Sequence, residues 1–136
     1  MGGKILIVDD ELDFIKLLTI RLEHAGYGVE FAVNGKEAVG AYVKSLNDEE
    51  PISLILLDIV LPDINGIEVL TIIRKEEQSR GIKNEEGVPI FMLTGYDRPW
   101  MDPSELIGTD DYIVKPINAE ELLKKIENRL NEKELK

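Results

Sequence analysis

Apolar positions along the chain fall into two patterns. Residues 5–8, 52–57 and 88–93 form short apolar runs, too brief for helices and too continuous for half-exposed strands. Strands covered on both faces of a parallel sheet look like this. Weaker strand signals lie at 29–33 and 112–114. Between them the apolar residues recur at helical spacing. Phe14, Leu17, Leu18 and Leu22, with Arg21 among them, predict a first helix with one inward face, ended by Gly26. Asn34 followed by Glu37 marks a helix start of the capping-box kind, and that helix should bury Ala38, Ala41, Tyr42 and Leu46. A third helix should begin near Gly66 with Val69, Leu70 and Ile73 inward. Asn118 and Glu121 repeat the cap spacing ahead of a last helix with Ala119, Leu122, Leu123, Ile126 and Leu130 as its stripe.

Strands alternating with helices, βαβαβαβαβ, imply right-handed crossovers and a parallel sheet with helices on both faces. For five strands of this size the expected architecture is an α/β, flavodoxin-like, doubly wound sheet of order 2-1-3-4-5. The polar stretch 79–87 reads as a solvated connection, and Glu76-Glu77 and Glu85-Glu86 read as solvated acidic surface. Length adds one constraint. A chain of 136 residues is expected to be one domain spanning 1–136, with the whole function inside it.

Composition narrows the chemistry. The formal charge of −11 argues against direct nucleic-acid binding, which needs clustered Lys and Arg. Cysteine is absent and His24 is the only histidine, so thiolate chemistry and Cys/His zinc sites are excluded. His24 itself is expected to be a surface residue. No apolar run nears the roughly 20 residues that cross a bilayer, so no membrane insertion is expected and the protein reads as cytoplasmic.

In a doubly wound sheet, ligands bind beyond the carboxyl ends of the strands where strand order reverses. Asp9 and Asp10 end the first predicted strand, Asp58 the third, Thr94 the fourth and Lys115 the fifth. Strands one and three would be neighbours, which brings three carboxylates together. Such a cluster, lacking His or Cys, suits Mg²⁺, with Asp10 and Asp58 the direct ligands. A screened carboxylate can attack phosphorus and form an acyl phosphate. Lys115 supplies a mobile cation for a phosphoryl oxygen, Thr94 a hydroxyl, and Gly95 leaves space beside the backbone. Taken singly, each has a plainer role, such as a helix cap or a solvated charge. Those roles do not explain five polar groups ending four strands on one rim.

Four segments in order carry a family resemblance: Lys4-Ile-Leu-Ile-Val-Asp-Asp-Glu11, Leu56-Leu-Asp-Ile-Val-Leu-Pro-Asp-Ile-Asn-Gly66, Leu93-Thr-Gly95 and Asp110-Asp-Tyr-Ile-Val-Lys-Pro116. Over nearly its whole length the chain resembles the receiver domain of two-component response regulators. The resemblance implies Asp58 as phosphoacceptor and Asp9 and Asp10 as the acidic pair for Mg²⁺. It adds the carbonyl of Val60 as a third direct ligand beside Asp10 and Asp58. Thr94 and Lys115 would bind phosphoryl oxygens, and Tyr112 would turn inward as Thr94 moves. Pro116 would follow a cis peptide bond. The phosphoryl donor would be a histidine kinase or a histidine phosphotransfer protein; the downstream protein target is not implied. The acyl phosphate would later be hydrolysed at the same site, and the output would be a shift between two conformations. The domain would thus be a signalling receiver and not an enzyme with a separate substrate.

The chain also departs from the family pattern. Pro99 and Pro103 predict a short or irregular fourth helix starting near Pro103 with Asp102 as cap. Trp100 and Met101 between them read as a packed lid over the core, against the alternative of an exposed partner-binding knob. Apolar Val60 and bulky Tyr96 would flank the phosphoryl group, which predicts slow dephosphorylation. Two other functions share parts of this pattern. A small Mg²⁺-dependent aspartyl-phosphate phosphatase would want a second acid/base Asp near the nucleophile, which Asp58-Ile-Val lacks. A phosphorylation-independent interaction module would leave Asp58 unmodified.

Overall fold

The computed structural model describes residues 2–95 and 108–134. Strand β1 spans Lys4–Val8, β2 Gly28–Ala32, β3 Ile52–Asp58, β4 Ile90–Thr94 and β5 Asp111–Val114. Helix α1 spans Leu12–His24, α2 Gly35–Ser45 and α3 Gly66–Ser79, and the last described helix, α4, spans Ala119–Glu134. A short 3₁₀ turn, Asn84–Glu86, precedes β4. The five strands form one parallel sheet in the order β2-β1-β3-β4-β5, as the alternation predicted. The fourth helix expected near Pro103, its cap Asp102, the prolines 99 and 103, and Trp100 and Met101 lie outside the described residues.

The sheet separates two apolar layers. On one face Leu6, Val8, Ile55 and Leu57 pack with Ala38 and Tyr42 of α2 and Val69, Leu70 and Ile73 of α3. On the other, Ile5, Ile7, Leu54 and Leu56 pack with Ile15, Leu18 and Leu22 of α1 and Leu122 and Ile126 of α4. Strands β1 and β3 are therefore apolar at every inward position on both sides. Each fully buried Leu or Ile there is worth roughly 1.5–3 kcal/mol, so a polar substitution at any of them would undermine the layer.

Asparagine caps open three helices. Asn34 Oδ1 accepts from Glu37 N at 2.8 Å, Asn65 Oδ1 from Glu68 N at 2.9 Å, and Asn118 Oδ1 from Glu120 and Glu121 N at 2.9 and 3.1 Å. Two expectations need correction. Leu17 is 61% exposed, because Ile15, Leu18 and Leu22 occupy the inward face of α1 and Leu17 sits beside that stripe. Glu77 is not solvated surface but only 3% exposed. Its carboxylate accepts from the Tyr42 hydroxyl at 2.6 Å, Val88 N at 2.8 Å and Arg74 Nη1 at 2.8 Å. Burial and this bond to Glu77 hold the Tyr42 phenol above its usual pKa, so it stays a donor. The same contact explains why β4 starts at Ile90 and not at Val88. The Val88 N–H is committed to Glu77, and Pro89 has none to give. Gly87, at the end of the stretch read as solvated, is buried against Glu77 and Arg74.

Candidate functional site

Strand register builds the site. Val8 lies opposite Leu57, so Asp9 follows β1 beside Asp58, the last residue of β3. Asp58 lies opposite Leu93, and Thr94 opposite Val114, which puts Lys115 at the same rim. Residues distant in sequence thus share the carboxyl edge of four adjacent strands. Asp9 and Thr94 are fully buried, Asp58 is buried and Asp10 is exposed.

Carboxylate oxygens of Asp9, Asp10 and Asp58 lie within 4.8 Å of one another. Lys115 Nζ donates to Asp9 Oδ2 at 2.6 Å and to Asp58 Oδ2 at 3.3 Å, with Glu11 Oε1 3.7 Å away. Asp9 Oδ1 also accepts from Glu11 N at 2.9 Å, a turn two residues long that leads into α1 without capping it, so the plainer capping role considered for a strand-end Asp is not taken up here. Asp58 Oδ1 accepts from Val60 N at 3.1 Å. Burial pushes the Asp58 carboxyl above its ordinary pKa and the charge of Asp9 adds to this, with Lys115 and the Val60 N–H opposing. Burial disfavours the Lys115 charge, but the Asp9 and Asp58 carboxylates outweigh it and hold its pKa above the usual range. The arrangement is one cation among carboxylates that would otherwise repel.

Two neighbours of Lys115 gave no sequence signal of their own. The Phe14 ring lies 4.4 Å from its ammonium, a cation–π contact that steers the flexible side chain, whereas helical spacing marked Phe14 only as core-facing. Glu11 follows the acidic pair but belongs to no strand. Gly66 packs so closely on β3 that a Cβ would collide with the Asp58 carbonyl. Val60 is half-exposed beside Asp58. A Cβ at Gly95 would meet nothing within 4 Å. Tyr112 packs partly buried against the α2/α3 core. The Lys115–Pro116 peptide is cis, as expected. His24 is exposed, whereas Tyr96 lies outside the described residues.

The three carboxylates form an oxygen-only site with a net negative charge that a single lysine does not cancel. That donor set fits a hard divalent cation such as Mg²⁺. No helix among the described residues is long and apolar enough to cross a membrane.

Fold and rim together define a doubly wound α/β domain with an acidic cluster and a lysine at its switch point. The response regulator receiver domain model matches residues 5–127, and the chain belongs to that family. It is 41% identical over 126 residues to the transcriptional regulatory protein CpxR homolog of Haemophilus influenzae, covering 91% of this chain and 48% of that protein. It is 36% identical over 136 residues to the alkaline phosphatase synthesis transcriptional regulatory protein PhoP of Bacillus subtilis, covering 99% of this chain and 51% of that one. The chain spans about half the length of the curated relatives it matches. Among solved structures, a CheY-like receiver domain protein from Methanospirillum hungatei superposes with a TM-score of 0.75 at 32% identity, covering 98% of both chains. The response regulator TrrA of Thermotoga maritima, solved with Mg²⁺ and BeF, has a TM-score of 0.75 at 32% identity, covering 93% of this chain and 97% of that one.

Proposed function

We propose that this receiver domain accepts a phosphoryl group on Asp58 from a phosphohistidine, carried by a histidine kinase or a histidine phosphotransfer protein, and signals by the resulting change of conformation. The observation that carries this is the buried Asp58 carboxylate held 3.3 Å from Lys115 Nζ within the three-carboxylate cluster. An Asp58 oxygen attacks phosphorus in line, the P–N bond to the imidazole breaks, and the ring nitrogen leaves with its electron pair. Lys115 moves from the Asp58 carboxylate to a phosphoryl oxygen and Thr94 donates its hydroxyl to another. Asp10, Asp58 and the Val60 carbonyl would hold Mg²⁺, with Asp9 behind them. When bound, the ion neutralises charge that builds on the phosphoryl oxygens.

As Thr94 is drawn to the phosphate, Tyr112 turns further inward and alters the face around β5. Gly95 leaves space beside the phosphoryl group, and the cis Pro116 sets the course of the chain after Lys115. The same function places the domain in the cytoplasm with its donor, acting on a downstream protein and not directly on nucleic acid. Labelling with a small-molecule phosphodonor, wild type against Asp58→Asn, with and without Mg²⁺, tests it. Acid-stable, hydroxylamine-labile label on the wild type that needs Mg²⁺ and disappears in the variant is expected. Label on another residue would overturn the assignment to Asp58, and none on wild type would overturn the function and favour a phosphorylation-independent module.

A further inference from the structure

Asp63 lies at the exposed turn of the β3–α3 loop, five residues beyond Asp58, and its carboxylate reaches another element. Oδ1 accepts from Gly35 N at 2.7 Å and from Ile64 N at 2.7 Å, and Oδ2 accepts from Lys36 N at 3.0 Å. Gly35 and Lys36 open α2, whose N-terminal amide dipoles favour an anion. The cap is shared: Asn34 takes Glu37 N from within α2, and Asp63 takes the two preceding amides from 28 and 27 residues away. Contact is close, since a Cβ at Gly35 would collide with Ile64. The rest of the loop is already fixed. Ile59 N donates to Leu93 O at 3.0 Å, Gly66 N to Ile59 O at 2.7 Å, and Leu61 is buried. Between these anchors Val60, Pro62, Asp63 and Asn65 are exposed; Asn65 is held by its cap on Glu68 N, and Val60 N bonds Asp58 Oδ1.

We infer that Asp63 is a positioning residue for the phosphoacceptor site: by tying the loop to the start of α2 it fixes where the Val60 backbone sits beside Asp58. This rests on the proposed Mg²⁺-dependent phosphorylation of Asp58. Binding that depends on the tether must strengthen the tether by the same factor, because coupling is reciprocal.

Two measurements on the 136-residue chain test this. The first is the Mg²⁺ concentration giving half-maximal phosphorylation by phosphoramidate. The second is amide exchange at Gly35 and Lys36 with and without Mg²⁺. Asp63→Ala should raise the half-saturating Mg²⁺ about fivefold, and Asp63→Asn, which keeps one acceptor oxygen, less. Lys36→Pro removes one donor and sets a ring carbon against Asp63 while leaving every loop residue unchanged, at a first-turn position that tolerates proline. It should shift Mg²⁺ dependence in the same direction and covers the case in which Asp63→Ala fails to fold. In wild type, Mg²⁺ should slow exchange at both amides several-fold, and in Asp58→Asn it should not. An unchanged Mg²⁺ dependence in folded Asp63→Ala and Lys36→Pro, or exchange indifferent to Mg²⁺, would overturn the inference while wild-type labelling stands. Absence of label on wild type would instead overturn the phosphoacceptor function itself.

Discussion

Replacing Asp58 by Asn should make the metal-free domain more stable. The three carboxylates approach within 4.8 Å, where each pair of unit charges repels by about 3.5 kcal/mol at an effective dielectric of ~20. Lys115, 3.3 Å from Asp58, returns about 5 kcal/mol on the same scale. Burial of Asp58 disfavours its charge most, repulsion from its carboxylate neighbours adds to the deficit, and Lys115 offsets part of it. Solvent at the rim screens repulsion and attraction alike, leaving a net gain of about 1–2 kcal/mol for the neutral amide. For a domain of this size that is a rise in Tm of about 3–7 °C. The sign carries a pH signature. A carboxyl whose pKa is higher folded than unfolded stabilises the fold most below its unfolded value, near 3.8, and loses that contribution as pH rises through the folded value. The advantage of Asp58→Asn should therefore grow with rising pH across that window and vanish below it. Mg²⁺ should close the gap, since at ten times its Kd it gives wild type about 1.4 kcal/mol that the variant lacks. Thermal melts followed by circular dichroism, from acid to neutral pH with and without Mg²⁺, measure all three effects. A variant less stable than wild type at pH 7 without Mg²⁺, or one that gains as much from the ion, would refute the electrostatic account.

Glu77→Ala should cost about 3–5 kcal/mol, because it strands the buried Tyr42 hydroxyl and Val88 N–H and leaves Arg74 with Asp110 as its remaining carboxylate partner. Glu77→Gln, which can still accept a hydrogen bond, should cost less than half of that in urea melts, and equal losses would show that packing alone matters. Lys115→Gln should destabilise wild type by about 2 kcal/mol but cost less on an Asp58→Asn background, a coupling readable from a double-mutant cycle. Additive effects would deny the pair. Gly66→Ala should slow phosphodonor labelling of Asp58 about tenfold or more while the domain stays folded, since the new methyl meets the Asp58 backbone. Unaltered labelling would show that the loop absorbs the methyl.

Much of this was legible in the sequence because strands buried on both faces leave no choice of residue. The runs 5–8 and 52–57 through β1 and β3 are apolar at every position but Ser53, and the turn to Asp at each end is abrupt. Asparagine caps are equally plain at Asn34 and Asn118, and the same spacing recurs at Asn65 and Glu68. Glu77 was misread because local pattern treats a Glu beside Glu76 as solvent-facing. Its partners Tyr42 and Val88 lie 35 and 11 residues away, and nothing local announces them. Leu17 was misread for the complementary reason: helical spacing gives a face but not its width. The lysine–phenylalanine contact and the reach of Asp63 to α2 are likewise tertiary facts, set by how elements cross.

The two ends of the sheet manage charge in opposite ways. At the carboxyl end three carboxylates share one lysine. Ahead of β4 and β5 at the amino end lies a network of paired charges: Arg74 bonds Glu77 at 2.8 Å and Asp110 at 3.3 Å, and Asp110 also takes Arg129 at 3.0 Å and the Ile90 N–H at 2.8 Å. Arg74 further donates to the Gly108 carbonyl at 2.6 Å. This network ties α3 and α4 to the first residues of β4 and β5, the strands that carry Thr94 and Lys115 at their other ends. A strand pinned at one end can still answer a new charge at the other, provided the pinned end does not depend on that charge. Substitutions at Arg74, Glu77 or Asp110 should therefore lower stability while leaving Asp58 labelling close to wild type. Those at Asp9, Asp10 or Lys115 should change labelling by far more than they change stability. If both sets moved both quantities together, the sheet would be a single cooperative unit from rim to rim and the division between ends would fail.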